Sequence, residues 1–491
     1  MRVRWSRVLA TLLVLCFAGE AGAAQLEFKA SQVANFFWAV DQMSQWHPEL
    51  TSKSYRDFWD SKIQLTDDDL QTLDRYASLR RKYSRSNRKS REVTAASAWP
   101  GATVEEHERF ALAFLEMSSI DTACLALKMS TADTALLVGT MRHFARRMKD
   151  HWGRETAHLK GFGKKAQVLI TLADAGGFAK QLKAFFGVTV PIPRTIPVDV
   201  VWAPPAYVPP ARLDFHIVLP VSVEQAQSDE AVLQQISRAM QEVAAYLLSK
   251  APADTLARAA QMVLTEGGLL NQSQPDLFRR AMLLSLGELV FLRDRFPELP
   301  EQEMLAPFNP ALEFPFAEDL LARELAGPLK ANANTKNGFF PTFLKQGIDV
   351  QKRLFPPRPR FFTSNAITMG GPASLKLFAG LFTDLGRVSL GLRATRELSE
   401  AHKNNSGAPK FIIATASEEG RMWKALRTIR ADRALSKIFR SLKKKTFIYA
   451  NTQARGGVVF VVYGQTQSSI RKALIRLYTM QGMPLAPIVV E

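Results

Sequence analysis

The stretch Ser228-Asp229-Glu230-Ala231-Val232-Leu233-Gln234-Gln235-Ile236-Ser237-Arg238-Ala239-Met240 decides how this chain is read. Val232, Ile236 and Met240, continued by Val243 and Leu247, recur at spacings of three and four, which is one stripe of an α-helix over about Asp229 to Ser249. Ser228 precedes two acids, as an N-cap should, because its hydroxyl oxygen can accept a free amide of the first turn. Gln234, Arg238, Gln241 and Glu242 fall on the opposite side, where a solvated polar face accounts for them. Just upstream lie two runs rich in β-formers, Val198-Asp199-Val200-Val201-Trp202 and Asp214-Phe215-His216-Ile217-Val218-Leu219-Pro220. With further helical periodicity on both sides, the pattern predicts an α+β fold. Its N-terminal and middle parts are mostly helical with a small sheet, and a small α/β domain follows at the C-terminus.

Gln234 and Arg238 stand one turn apart on one face of that helix. A zinc peptidase of the zincin class needs that spacing for two histidines, with a glutamate after the first to activate water. Strand, helix and then Leu264-Thr265-Glu266-Gly267-Gly268 together resemble the gluzincin branch of that class over about residues 198–278. The resemblance implies a metallopeptidase-like middle domain in which Glu266 takes the place of the third, carboxylate ligand. The sequence departs from the family at the chemistry, reading Gln234-Gln235-Ile236-Ser237-Arg238 in place of His-Glu-x-x-His. Gln is a poor zinc ligand, Gln235 cannot take a proton, and Arg238 puts a permanent cation where the metal would sit. The expectation is a remnant site of Gln234, Gln235, Arg238 and Glu266 with no catalysis, no metal and no cofactor. A remnant site would bring Arg238 near Glu266 in a shared cleft. An ordinary surface helix would point Arg238 at water.

Of 491 residues, 47% are hydrophobic and 22% charged, proportions that argue against a largely disordered chain and allow two or three domains. Residues 1–23 read as a signal peptide: Arg2, Arg4 and Arg7, an apolar run from Val8 to Ala18, then Ala21-Gly22-Ala23 as the cleavage site. That run is too short to span a bilayer, and no later segment reaches spanning length. Cleavage near Ala23 removes three Arg and one Glu, so the remainder keeps +16 of a formal charge of +18. It also removes Cys16, leaving Cys124 in an apolar helical run as a core residue. The expected location is the periplasm or the exterior.

Composition then divides the chain at 24–190, a helical N-terminal region; 191–370, the zincin-like middle domain; and 371–491, the basic α/β domain. Seven prolines between 191 and 210 mark the first boundary. In the N-terminal region Thr66-Asp67-Asp68-Asp69 has the form of a capping box. His151 and His158 lie seven apart, with Gly153 weakening any helix between them. The C-terminal domain predicts strands at 388–392, 410–415, 446–450 and 458–463, helices at 418–429, 431–442 and 468–480, and a last strand at 487–490. Arg455-Gly456-Gly457 is expected to supply a tight turn between two of the strands. The glycine doublets, Gly370-Gly371 among them, lack a phosphate-loop lysine and serine and read as turns.

Two cation clusters bear on partners. Arg80-Arg81-Lys82 with Arg85, Arg88, Lys89 and Arg91 places seven positive residues in twelve. Arg421, Lys424, Arg427, Arg430, Arg433, Lys437, Arg440, Lys443, Lys444 and Lys445 place ten in 25, opposed by Asp432 alone. Neither has the aromatic interleaving of a base-stacking surface, and export disfavours nucleic acid. Anionic envelope polymers, or another envelope protein, are the expected partners. The functional expectation is an exported, non-catalytic envelope protein that resembles an inactive metallopeptidase and binds anionic or peptide-like partners. Two other readings stay open: a hydrolase with active-site residues from dispersed loops, and a structural subunit of an envelope complex.

Overall fold

The computed structural model describes residues 25–47, 50–83, 106–205, 210–213, 215–226, 228–266, 274–297, 315–333, 340–354, 367–375, 377–378, 393–394, 409–451, 458–478, 480, 484 and 486–490. Residues 1–23, expected to be a signal peptide, Arg85, Arg88, Lys89, Arg91, the predicted strand 388–392 and the turn expected at Arg455–Gly457 lie outside these residues. The fold is α+β with mostly helical parts and two small mixed sheets.

The first sheet takes its edge from the start of the chain. Strand β1 (Gln25–Lys29) pairs in parallel with β2 (Thr195–Trp202), β2 pairs in parallel with β4 (His216–Val221), and β3 (Ala211–Leu213) runs antiparallel to β4. A parallel pair needs a crossover. Here the crossover is the whole N-terminal helical block: α1 (Gln32–Met43), α2 (Lys53–Ile63), α3 (Asp67–Tyr83), α4 (Glu106–Glu116), α5 (Ile120–Ala126), α6 (Thr131–Arg147), α7 (Lys149–Leu172) and α8 (Ala175–Phe185). The boundary expected at 190/191 therefore runs through one sheet, and one hydrophobic core continues across it. Asn35 of α1 fastens the block to β2, its Nδ2 donating to the Val200 carbonyl at 2.9 Å and its Oδ1 accepting the Trp202 amide at 2.6 Å.

The capping box holds at the start of α3. The Asp69 amide donates to Thr66 Oγ1 at 3.2 Å, and the Thr66 amide donates back to Asp69 Oδ2 at 2.8 Å. Despite Gly153, expected to weaken any helix between them, His151 and His158 lie on one helix, α7.

Helix α9 (Asp229–Ser249) starts and stops where the periodicity places it, with Ser228 Oγ accepting the Ala231 amide at 3.0 Å. Helices α10 (Ala253–Glu266) and α11 (Gln274–Leu284) follow, and α11 continues as a π-helical segment over Ser285–Leu292, every residue of it buried. A helix apolar all round belongs inside a core. Gly287 lets this segment close on α9, because a Cβ there would fall 2.7 Å from the Ser237 carbonyl oxygen. Helices α12 (Pro315–Ala333) and α13 (Phe340–Leu354) complete the middle part.

The second sheet has the order β10-β8-β9-β7-β5-β6. Strands β5 (Ile367–Gly370), β6 (Arg393–Ala394), β7 (Lys410–Thr415) and β9 (Val459–Gly464) are parallel, while β8 (Thr446–Asn451) and β10 (Ile488–Val490) run antiparallel to their neighbours. Alternation along β7 and β9 sends Phe411, Ile413, Phe460 and Val462 into the large core, with α16 (Gln467–Tyr478) on that side. Ile412, Ala414, Val461 and Tyr463 enter a second core under α14 (Glu419–Thr428) and α15 (Asp432–Leu442). Among the described residues no helix is long and apolar enough to cross a membrane.

Candidate functional site

Of the four residues expected to form a remnant metal site, Gln235 and Arg238 are in direct contact. Gln235 and Arg238 are buried, at 1% and 4% exposure, and Arg238 Nη1 donates to Gln235 Oε1 at 3.3 Å. The solvated face expected for Arg238 is thus corrected. β4, α7, α8, α11 and the π-helical segment all pack on α9 and cover more of it than its apolar stripe announces. Gln234 is half-buried, while Glu266 is exposed at the last turn of α10. Among the described residues no ion pair joins Glu266 to Arg238.

The carboxylate that does face α9 is Glu288, 1% exposed in the π-helical segment. Gln241 Nε2 donates to Glu288 Oε1 at 3.4 Å and to Ser237 Oγ at 3.5 Å. This polar seam lies one turn beyond the expected position. Glu288 was visible in the sequence as the single acid interrupting the apolar run Ala281–Leu292. Among the described residues no group of three or more His, Cys, Asp or Glu side chains is arranged to hold a metal ion.

A second buried polar cluster escaped the sequence reading. Asp199 on β2 and His216 on β4 share one sheet face, with His216 Nδ1 3.0 Å from Asp199 Oδ2 and His216 Nε2 3.5 Å from Glu116 Oε1. Burial pushes the Asp199 carboxyl above its ordinary range, and His216 pulls it partly back. The pair orients the imidazole so that its other nitrogen faces a half-exposed glutamate. The other members of the cluster, His216 and Glu116, come from two other elements, β4 and α4.

The first cation cluster divides. Arg80 is a core residue at 2% exposure, not a surface anion ligand. Its Nε donates to Asp41 Oδ1 at 2.9 Å, and its guanidinium lies 4.4 Å from the Trp46 ring centre and 4.3 Å from that of Phe110. Arg81 is exposed and donates to the Trp46 carbonyl at 3.1 Å. Lys82 pairs with Asp133 at 2.6 Å. The described part of the cluster is therefore largely committed to the protein's own groups.

The second cluster is built differently. On α14 and α15, Met422, Leu426, Leu435 and Phe439 turn inward onto the sheet, and Trp423 stacks edge-on against Phe439 with ring centres 5.1 Å apart. The same helical periodicity turns Arg421, Lys424, Arg427, Arg433, Lys437 and Arg440 outward. Arg430 at the corner and Lys443, Lys444 and Lys445 before β8 join them, so all ten cations are exposed. Lys443 approaches Glu419 at 3.4 Å; the other nine make no ion pair among the described residues.

The corner itself favours charge over ease of folding. Arg430 has φ of +54°, in the left-handed region where glycine is easiest to place. Its amide donates to Arg427 O at 3.0 Å, and the Ala431 amide donates to Leu426 O at 2.8 Å, the paired bonds of a Schellman C-cap. An exposed cation thus stands at a glycine position in the corner between α14 and α15.

Compared with protein-family models, curated proteins and solved structures, the chain matches none.

Proposed function

We propose that this chain is an exported, non-catalytic protein of the cell envelope that binds anionic polymers on the outer face of α14 and α15. The observation that carries the reading is the set of nine exposed cations without ion-pair partners among the described residues, six on the two consecutive helices, one at the corner between them and two just after, with Asp432 as the one acid among them. Unpaired cations at that density raise the local concentration of anions and release condensed counterions when a polyanion docks. The apolar sides of both helices are already used against the sheet, so attraction at this face is electrostatic rather than insertive. Export rests on the basic, apolar and small-residue pattern of residues 1–23. In the same reading the middle part is a metallopeptidase-like core without its chemistry, its α9 seam filled by Gln235, Arg238, Ser237, Gln241 and Glu288.

The test is binding of linear polyphosphate and of an anionic polysaccharide to the chain without residues 1–23 at low salt. A variant with Arg427→Glu, Arg433→Glu, Lys437→Glu and Arg440→Glu should lose at least a hundredfold in affinity while its unfolding midpoint stays in place. Equal binding by that variant would remove the proposal.

A further inference from the structure

A groove among the described residues lies far along the chain from the basic face. It encloses about 780 Å³ between the start of α1, the α4–α5 junction, α6 and α7. That is within the roughly 300–1,000 Å³ of sites that hold small molecules. Val33, Phe36, Ile120, Ala145 and Trp152 supply apolar wall, and Lys149 stands on the rim. Lys149 is exposed and makes no hydrogen bond or ion pair among the described residues. The other rim charges, Arg142 and Asp121, pair with each other at 3.2 Å. The groove thus offers apolar surface beside one uncompensated cation.

Gly153 leaves bare backbone in the groove wall. It lines the groove from inside the 24-residue helix α7, where glycine costs about 1 kcal/mol relative to alanine. Its φ is not positive, and a Cβ built on it would meet nothing within 4 Å. No close approach within the fold requires a glycine here. What the missing side chain leaves is room in the groove wall. Beside it Trp152 is 5% exposed, and its Nε1 has no hydrogen-bond acceptor among the described residues.

We infer that this groove binds a small anionic amphiphile, its apolar body on Phe36 and Trp152 against the bare backbone at Gly153 and its acidic head at Lys149. The assignment is independent of the polymer site. It is tested with 8-anilinonaphthalene-1-sulfonate and its neutral relative N-phenyl-1-naphthylamine, titrated into the folded chain without residues 1–23. Wild type should bind the sulfonate saturably at one site. Gly153→Leu should lose at least tenfold in affinity for both probes with an unchanged or raised unfolding midpoint, since the new side chain enters open space. Lys149→Glu should weaken the sulfonate at least fivefold and leave the neutral probe unaffected. Arg433→Glu with Lys437→Glu, on the distant basic face, should change neither. Absence of saturable binding by wild type, undiminished binding by Gly153→Leu, or loss of the sulfonate only in the basic-face variant would each overturn the assignment.

Discussion

Replacing Arg80 by alanine should unfold much of the N-terminal block, and the size of the effect follows from what the guanidinium holds. Asp41 is 5% exposed and takes three donors: Arg80 Nε at 2.9 Å and the Tyr76 hydroxyl at 2.7 Å on Oδ1, and Trp46 Nε1 at 3.0 Å on Oδ2. Removing Arg80 leaves that carboxylate buried with neutral donors only. Breaking a buried pair from one side costs about 3–5 kcal/mol. The rings of Trp46 and Phe110 also lose the cation packed against them, for roughly another 1–2 kcal/mol. The expected loss is therefore about 4–7 kcal/mol, a large share of the ~5–15 kcal/mol that stabilises an ordinary domain. Urea unfolding followed by far-ultraviolet circular dichroism and tryptophan emission measures it. Arg80→Ala combined with Asp41→Asn should recover part of the loss, because the unpaired charge is gone. If Arg80→Ala lowers stability by less than 1 kcal/mol and instead weakens polyanion binding, Arg80 is a surface ligand and the core assignment is wrong.

Asp69 accepts from Thr66, His143 and Arg147, and although burial pushes its carboxyl up, those hydrogen bonds hold it down at about 2. Its contribution, about 2 kcal/mol, is present above the ordinary value near 3.8 and lost as pH falls toward 2; Asp69→Asn should remove it at neutral pH and flatten acid unfolding in that window. Glu318 behaves oppositely. Burial raises it to about 7, with Arg280 at 3.3 Å and Arg279 pulling down and Asp276 and Asp319 pushing up. The folded state then binds the extra proton between about pH 4.5 and 7, so roughly 3 kcal/mol of stability present at the acid end is lost on rising through that range. Glu318→Gln should abolish this slope, and a slope that survives would contradict the assignment. Arg430→Gly should raise stability by up to about 1 kcal/mol by relieving the left-handed backbone while lowering polyanion affinity; a destabilised variant would show that the arginine side chain serves packing.

How much could be read in advance depended on whether the signal was local. Helix α9, its Ser228 cap, the Thr66–Asp69 box, and strands β7 to β9 follow from spacing and capping within a few residues. Strand β1 did not, because five residues gain their meaning from β2, 170 positions later. Arg80 looked like Arg81 beside it; its burial comes from Asp41, 39 residues earlier, and from Phe110 on another helix. For Gln235 and Arg238 the polar pattern suggested water, but elements from several parts of the chain close over that side of α9. The cationic face of α14 and α15 was legible in composition and periodicity. That only one of its ten cations, Lys443, has an ion-pair partner among the described residues needed the structure.

The dependence of polyphosphate affinity on salt tests the central claim most directly. Each neutralised phosphate contributes roughly −0.7 to −0.9 to the slope of log K against log salt. Wild type should give a steep negative slope, and the Arg427→Glu, Arg433→Glu, Lys437→Glu, Arg440→Glu variant should lose about three units of it. A slope near zero in wild type, or one that the variant leaves unchanged, would contradict electrostatic capture by α14 and α15.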